Sequence, residues 1–302
     1  MTSPATAPPD LPSPPFLAVP GIQNFRDTGG YPVSSAPNKI VRRGVLFRAA
    51  EPSQVTPEGI SRMRELGIKH VYDLRSVREF EKEGHARPPR EWEGAERIFA
   101  PVFLDQDYSP EAVALRFRSY ASGPEGFKAA YMSILRAASA PENTKQPYAS
   151  ILSRLASATE TPPAPLLVHC TAGKDRTGVI CALVLSLCGV ADDVVAHEYS
   201  LTALGLREMQ ESIIERLKTT EEAFRDNPEG ARGMVVAVKE NMLTTLEHIN
   251  QTYGSVEKCV LELGLLTPES LAQLRKNMIV DETEADASGL VVDWKEHAKM
   301  LL

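Results

Sequence analysis

Residues 169–178 read His-Cys-Thr-Ala-Gly-Lys-Asp-Arg-Thr-Gly. Together with the residues on either side, they predict a strand, a tight loop and a helix in succession. The apolar run at 165–168 predicts a short buried strand that ends at His169. The apolar run over 177–188 predicts a buried helix that ends at Gly189. A strand, a tight loop and a helix N-terminus direct backbone N–H groups and the positive end of a helix dipole towards one point. The stretch therefore predicts an anion-binding loop.

Three residues of this loop have the chemistry of a phosphate site with a nucleophile. Cys170 is the predicted nucleophile, because a thiol beside a helix N-terminus and nearby cations ionises readily. Arg176 carries a planar fork that matches two phosphoryl oxygens, a geometry that lysine cannot offer. Gly173 allows backbone conformations that other residues avoid, so that successive N–H groups turn inwards as an anion nest. We therefore expect Cys170 and Arg176 to be catalytic.

The other loop residues have predicted roles around this pair. We expect the phosphate of the substrate to contact Thr171, Ala172, Gly173, Lys174, Asp175 and Arg176. Lys174 is expected to add a second positive charge at the rim of the pocket. Two flanking residues are expected to support the site: His169 by hydrogen bonding into the loop, and Thr177 through a hydroxyl that influences the thiolate or the hydrolytic step.

A cysteine is more commonly a small buried hydrophobe than a nucleophile. That interpretation fits Cys181 and Cys188 on the apolar helix and Cys259 in a later helical pattern. It fits Cys170 poorly, because the residues that follow it are mostly polar, charged or glycine.

Three further stretches complete a family pattern. Residues 24–31 read Asn-Phe-Arg-Asp-Thr-Gly-Gly-Tyr, residues 71–76 read Val-Tyr-Asp-Leu-Arg-Ser and precede Glu79, and Tyr-Gly-Ser at 253–255 precedes Leu-Gly-Leu at 263–265. With the loop, they resemble the cysteine-dependent phosphatases, and among them the atypical microbial tyrosine/serine phosphatases whose loop reads His-Cys-x-x-Gly-Lys-Asp-Arg-Thr-Gly. The resemblance spans roughly residues 20–280 in matching order. It implies the α/β cysteine phosphatase fold, no metal or other cofactor, and activity that can include phosphotyrosine, phosphoserine/threonine and phosphoinositides.

The strand and helix signals predict an α/β fold with a central, mostly parallel, twisted sheet flanked by helices. A strand at 44–48, a helix over 56–67 and a strand at 68–73 alternate as they do in parallel sheets. Further helices are predicted within 108–136 and over 148–157. After the helix that follows the loop, the chain is expected to be mainly helical.

The sequence divides into three predicted parts. Residues 1–19 are rich in proline with little to bury, and we expect a disordered lead-in. Residues 20–280 form the predicted phosphatase domain. Residues 281–302 form a C-terminal extension with an acidic stretch and a weak terminal helix.

Two places in the sequence offer a general acid to protonate the leaving oxygen. Asp175 is already within the loop and is favoured by the resemblance. Asp105 and Asp107 lie in a separate segment that is able to deliver a carboxylate, although both also have the character of solvated loop acids. We prefer Asp175, with Asp105 second.

The motifs outside the loop have two interpretations. Asp73 and Arg75 end a predicted strand, where α/β sheets bind ligands, so they either touch substrate or form a structural ion pair. Asn24, Arg26 and Asp27 are expected to buttress the site.

Composition limits the partners and the compartment. The net charge of −7 argues against nucleic acid as a partner. No apolar run reaches the length of a membrane span, so no integral membrane segment is expected. Four cysteines without a disulfide or metal pattern indicate a reducing compartment, and the N-terminus lacks a secretion-signal pattern. We therefore expect a cytoplasmic protein.

Three functional hypotheses follow. The first is a phosphatase that acts through a cysteinyl-phosphate on phosphotyrosine, and also on phosphoserine/threonine, in a phosphoprotein substrate. The second is a phosphoinositide or inositol-phosphate phosphatase, because Lys174 adds charge for a polyanionic head group. The third is an inactive phosphate-binding module, which the presence of Cys170, Arg176 and a candidate acid disfavours.

Overall fold

The computed structural model describes residues 11–82 and 94–282, together with Lys299. The strands are β1 Arg26–Asp27, β2 Lys39–Val41, β3 Leu46–Ala49, β4 His70–Asp73, β5 Glu96–Phe99, β6 Leu166–His169 and β7 Ile279–Asp281. The helices before the loop are α1 Pro57–Glu65, α2 Val77–Lys82, α3 Pro110–Tyr120, α4 Gly123–Ser139 and α5 Pro147–Leu155. The helices after it are α6 Asp175–Leu187, α7 Asp192–Ser200, α8 Thr202–Gly205, α9 Gln210–Thr220, α10 Glu222–Arg225, α11 Pro228–Val235, α12 Lys239–Tyr253, α13 Val256–Glu262 and α14 Pro268–Met278.

The central sheet has five strands in the order β1-β3-β6-β4-β5. Strands β3, β6, β4 and β5 pair in parallel, and β1 adds an antiparallel edge. Ala49 and Asp73 are both in register with His169, so three parallel strands end side by side. The predicted α/β fold with a mostly parallel sheet and a mainly helical C-terminal part is confirmed, and the loop begins at the carboxyl edge of the sheet, where such folds bind ligands.

Both faces of the sheet are covered by an apolar core. Alternate residues of each strand point to opposite faces, so a central strand such as β6 contributes to both cores. Leu166 and Val168 belong to the large apolar core on the side of α6. Phe47 and Leu167 belong to a second core, which α1 completes with Met63. Burial on both faces explains why these strands read as continuous apolar runs rather than as alternating patterns.

The helix boundaries follow the capping signals in the sequence. The Thr56 side chain accepts a hydrogen bond from Gly59 N (3.1 Å) at the start of α1, and Gly67 with φ +71° follows its end. Thr267 caps α14 in the same way. The predicted helical stretch 108–136 contains two helices. Helix α3 ends at Tyr120, and a two-residue turn separates it from α4, which begins at Gly123.

The N-terminal part differs from the predicted disordered lead-in at 1–19. Phe16 and Val19 are buried, and Phe16 forms an isolated antiparallel bridge with Arg26. The prediction for residues 11–19 is therefore wrong, because the proline-rich composition concealed two apolar residues that pack against the sheet edge and a core. Residues 1–10 lie outside the described residues.

The predicted boundary at 280 falls inside β7, which pairs antiparallel with β2. Most of the predicted extension 281–302, including its terminal helix, lies outside the described residues. All four cysteines are free and buried. In the described ranges, no helix combines the length and the apolar character needed to cross a bilayer.

Candidate active site

The loop connects the end of β6 to the start of α6. Cys170 follows the last strand residue directly and is only 3 % exposed, and Lys174 is the N-cap of α6. Gly173 has φ +64°, and a Cβ at this position would lie 2.1 Å from the carbonyl oxygen of Ala49. Only glycine fits there, because both the backbone conformation and the close approach of β3 exclude a side chain. The predicted order of strand, loop and helix is confirmed.

Backbone carbonyls of the loop accept hydrogen bonds from outside it. The pairs are Thr171 O with Glu51 N (3.1 Å), Ala172 O with Asn24 Nδ2 (3.0 Å), Gly173 O with Arg48 Nη2 (2.7 Å), Lys174 O with Gly178 N (2.9 Å) and Arg176 O with Tyr148 OH (2.6 Å). Within the part of the chain that the structure describes, the N–H groups of residues 171–176 donate to no protein acceptor. The loop therefore presents donors for an anion and no competing carbonyls.

Arg176 is held by a carboxylate that the sequence interpretation did not assign to the site. Its Nη1 and Nη2 donate to Glu79 Oε2 (2.6 Å) and Oε1 (2.7 Å) in a bidentate pair. Glu79 also accepts from Tyr108 OH (2.8 Å), Thr171 Oγ1 (2.9 Å) and Ser76 N (3.0 Å). We call this set the front cluster: Ser76, Glu79, Tyr108, Thr171 and Arg176.

Within the front cluster, the attraction between Glu79 and Arg176 keeps both side chains charged. Burial alone would raise the pKa of Glu79, but Arg176 lowers it well below its ordinary value. Burial alone would lower the pKa of Arg176, but Glu79 raises it well above its ordinary value. The bidentate pair thus fixes the arginine beside the loop. The only signal for Glu79 in the sequence was its place after the 71–76 motif.

Lys174 does not lie at the rim of the pocket, and that expectation is wrong. The residue is only 2 % exposed, its Nζ donates to the carbonyl of Met234 in α11, and it lies 4.6 Å from the centre of the Phe127 ring. Burial lowers the pKa of this ammonium. Its position on a polar loop suggested exposure, but α11 and α4 cover it.

Asp175 stands in the first turn of α6 and remains partly exposed. Tyr131 OH donates to its Oδ1 (2.8 Å), and Tyr131 OH and Tyr199 OH are hydrogen-bonded to each other (2.6 Å). Lys174 Nζ lies 3.4 Å from the same oxygen. The structure therefore holds this carboxylate in a defined orientation at the loop.

The two alternative acids lie in the segment between β5 and α3. Asp105 is 74 % exposed, and its Oδ1 lies 4.0 Å from Arg78 Nε. Asp107 accepts a hydrogen bond from Leu104 N (2.7 Å) and so closes its own turn. The exposure of Asp105 matches the interpretation of a solvated loop acid, whereas Asp107 stabilises the turn in which it lies.

The residues that flank the loop are buried. His169 Nδ1 donates to the Cys170 carbonyl (3.3 Å), and its Nε2 lies 3.6 Å from Asp73 Oδ2. Asp73 accepts from Arg75 Nε (3.0 Å) and Nη2 (2.9 Å), which makes the pair structural. The Thr177 side chain is fully buried, and its hydroxyl finds no hydrogen-bond partner among the described residues.

A second charged cluster lies behind the loop. Glu198 accepts from Arg26 Nε (2.7 Å) and from Arg48 Nη1 (2.5 Å), and the three side chains are at most 1 % exposed. Arg26 also donates to Asn24 Oδ1. We call this set the rear cluster: Asn24, Arg26, Arg48 and Glu198. Asp27 instead accepts from the backbone N–H groups of Gly29 and Gly44 and fixes a turn.

This chain is similar to one known protein family and to several individual proteins that are named as phosphatases. The sequence pattern described as "Tyrosine phosphatase family" matches residues 17–280. The "Triple specificity protein phosphatase PtpB" of Mycobacterium tuberculosis is 29% identical over 274 residues, which cover 82% of this chain and 93% of that protein. A putative tyrosine-protein phosphatase of Cupriavidus necator is 33% identical over 184 residues, 61% of each chain. A tyrosine-protein phosphatase of Nostoc commune is 31% identical over 113 residues, 36% of this chain and 37% of that one.

Proposed function

This chain belongs to the tyrosine phosphatase family, and on that premise we propose that it hydrolyses phosphate monoesters of phosphoproteins at Cys170. The observation that carries the assignment of the site is the loop at 170–176. Its carbonyls are bound from outside, its N–H groups are available, and a cysteine and a charged arginine stand at its two ends.

The proposed binding step uses groups that are already in place. The dianionic phosphate takes hydrogen bonds from the N–H groups of residues 171–176 and from the guanidinium of Arg176. Glu79 keeps that guanidinium at the loop before substrate arrives. Because these donors are fixed in advance, they stabilise the charge on the equatorial oxygens of the transition state without reorganisation.

In the first chemical step, the Cys170 thiolate attacks phosphorus in line with the ester oxygen. The S–P bond forms, the P–O ester bond breaks, and the leaving oxygen takes a proton from Asp175. The products are a cysteinyl-phosphate and the free phenol or alcohol. The hydrogen bond from Tyr131 orients Asp175 for this transfer.

In the second step, water attacks the same phosphorus atom. Asp175, now a carboxylate, accepts a proton from that water, the S–P bond breaks, and the thiolate and inorganic phosphate are released. The enzyme returns to its starting state.

Phosphotyrosine and phosphoserine/threonine in proteins are the proposed substrates. The family match supports this class, as do relatives that are named tyrosine-protein and triple specificity protein phosphatases. The argument for a phosphoinositide rested on an exposed Lys174, and the burial of that side chain removes it.

A substrate panel tests the proposal. Phosphotyrosyl, phosphoseryl and phosphothreonyl peptides are compared with a phosphoinositide in vesicles, and released phosphate is measured. We expect the highest kcat/KM on a phosphopeptide, no turnover by Cys170→Ser, and turnover near wild type by the matched control Cys259→Ser in α13. A kcat/KM at least about tenfold higher on the lipid, equal to about 1.4 kcal/mol, would overturn the substrate class. If the wild-type protein binds inorganic phosphate but turns over no substrate, it is instead a phosphate-binding module.

A cytoplasmic location is also part of the proposal. All four cysteines are free and buried, as is usual in reducing compartments. Cell fractionation tests it, and recovery of the protein mainly outside the cell would contradict it.

A further inference from the structure

The rear cluster reaches the loop through two side chains. Asn24 Nδ2 donates to Ala172 O (3.0 Å) and more weakly to Gly173 O (3.5 Å). Arg48 Nη2 donates to Gly173 O (2.7 Å) and lies 3.4 Å from Lys174 O. Three successive carbonyls of the loop are therefore held on the side away from the anion site.

Holding a carbonyl also directs the next N–H. A trans peptide is planar, and its C=O and N–H point in opposite directions. When the carbonyls of Ala172, Gly173 and Lys174 are held outwards, the N–H groups of Gly173, Lys174 and Asp175 turn inwards.

We propose that Asn24 and Arg48 are positioning residues, which set the direction of the phosphate-binding N–H groups by holding the carbonyls of residues 172–174. The proposal rests on the function proposed for this loop. Neither side chain touches the phosphate in this scheme, and both act through the backbone of the loop.

The surroundings of Asn24 fix which end of its amide meets the loop. Arg26 donates to Asn24 Oδ1, so the oxygen faces Arg26 and Nδ2 faces the carbonyls. The residue has φ +59°, a conformation that asparagine and aspartate tolerate better than most residues. A Cβ on Gly205 would lie 2.3 Å from Asn24 Oδ1, so a glycine makes room for this orientation.

Glu198 fixes the second positioning residue. Its Oε2 accepts from Arg48 Nη1 (2.5 Å), while its Oε1 accepts from Arg26 Nε (2.7 Å). One buried carboxylate thus orients both arginines, and each arginine in turn orients one contact with the loop. This arrangement needs the fork of an arginine at position 48, because a single ammonium lacks two coplanar donors.

The substitution Asn24→Asp isolates the proposed contact. It keeps the oxygen that Arg26 binds and the shape of the side chain, but it replaces the donor to the loop by an acceptor. We expect kcat/KM on an aryl phosphate to fall by about 10- to 100-fold, mostly in kcat, because misdirected N–H groups lose transition-state stabilisation. The affinity for inorganic phosphate, measured by calorimetry, should also fall, but by a smaller factor, because the same N–H groups hold the ground state less strongly than the transition state.

Asn277→Asp is the matched control. Asn277 is also fully buried, and its Nδ2 donates to two backbone carbonyls, Leu155 O (2.9 Å) and Ser157 O (2.8 Å), away from the loop. We expect it to lose stability but to keep kcat/KM and phosphate affinity when corrected for the folded fraction. Equal kinetic losses in the two variants would show that Asn24 is merely structural and would overturn the proposal.

Asn24→Asp removes a donor but also adds a negative charge, so a second variant is needed to separate the two effects. Arg48→Lys serves this purpose. This variant keeps the charge of residue 48 but loses the fork, and we expect a loss of kcat/KM of similar size. It also carries the test if Asn24→Asp does not fold. If folded Arg48→Lys keeps the wild-type kcat/KM, the proposal is overturned. The loss in Asn24→Asp would then come from repulsion between the added carboxylate and the phosphate.

Phosphate binding separates this inference from the proposed function. If the wild-type protein binds phosphate without turnover, the phosphatase assignment fails, and weaker binding by Asn24→Asp still supports the positioning role. If wild-type protein turns over substrate and folded Asn24→Asp matches it, only the positioning role fails.

Discussion

The two charged clusters beside the loop each contain a glutamate paired with arginine, but they differ in exposure. In the front cluster, the Arg176 and Glu79 side chains are 13% and 19% exposed. In the rear cluster, Arg26, Arg48 and Glu198 are at most 1% exposed. The front cluster contains the arginine that we place on the phosphate, whereas Asn24 and Arg48 of the rear cluster donate hydrogen bonds to the loop carbonyls.

This difference separates two uses of an arginine–carboxylate pair. A partly exposed arginine keeps donors for a ligand while its carboxylate holds it in place. A fully buried pair has no ligand to meet and instead fixes backbone geometry. The rear cluster also carries two arginines for one carboxylate, so removal of that carboxylate leaves buried charge without compensation.

The largest expected effect on stability is at Glu198. Glu198→Gln leaves two buried arginines without a counter-charge, and we expect the free energy of unfolding to fall by about 3–5 kcal/mol. Glu79→Gln, the matched change in the front cluster, should cost clearly less, because water can reach that pair. Urea denaturation of the two variants measures these losses. Equal losses of unfolding free energy would contradict the proposed difference between the buried and the partly exposed pair.

The next largest effect is expected at the arginine of the front cluster. Arg176→Lys should lower kcat/KM by about 10²- to 10³-fold, since a lysine cannot bind two phosphoryl oxygens and Glu79 in one plane. Steady-state kinetics on an aryl phosphate measures it. Arg78→Lys, on the exposed side of the same region, is the control and should stay near wild type. If Arg176→Lys has wild-type kinetics, Arg176 does not stabilise the phosphate in the reaction.

Asp175 should act according to the leaving group. Asp175→Asn should lower kcat/KM for hydrolysis of an alkyl phosphate by about 10²-fold and for an aryl phosphate much less, because a phenolate leaves without a proton. Steady-state kinetics measures kcat/KM, which reports the first chemical step and not the later hydrolysis of the cysteinyl-phosphate. The control is Asp105→Asn, where we expect no selective loss. A selective loss in the control instead would move the general acid to the segment before α3.

The smallest expected effect is a dependence of stability on pH. Burial alone would raise the pKa of Asp73, but His169 and the bidentate Arg75 lower it from 3.8 to about 2. Because the folded pKa is the lower one, the contribution of about 2 kcal/mol is present above about pH 4 and is lost as the pH falls towards 2. Unfolding free energies from pH 5 to 2 measure it, and Asp73→Asn should show a shallower fall. An identical slope would contradict a structural role for the ion pair.

Local patterns predicted the loop and its neighbours well. The strand, the loop and α6 are contiguous, and an apolar run with a glycine at its end suffices to recognise them. The short strands β1 and β5 were not predicted, because two to four residues carry too little periodicity. The structure of residues 11–19 was missed because two buried apolar residues stand among prolines.

Residues that act on the loop from far along the chain were harder to recognise. Glu79 lies 97 residues from Arg176, and Glu198 lies 150 residues from Arg48. Motif recognition placed Asn24 near the site, but nothing in the sequence indicated which atoms meet. Lys174 looked exposed because its neighbours are polar, whereas the groups that cover it come from α4 and α11.

The donors to the loop carbonyls also bear on how the protein reaches its native state. Asn24 and Arg48 lie 148 and 125 residues before their partners in the loop. Bringing together residues this far apart costs conformational entropy, so we expect these contacts to form late in folding. A refolding chain should therefore regain helix and strand content before it regains catalysis. Enzymatic activity would report the final closure of this protein, and a partly folded intermediate would carry a thiol without a catalytic pocket.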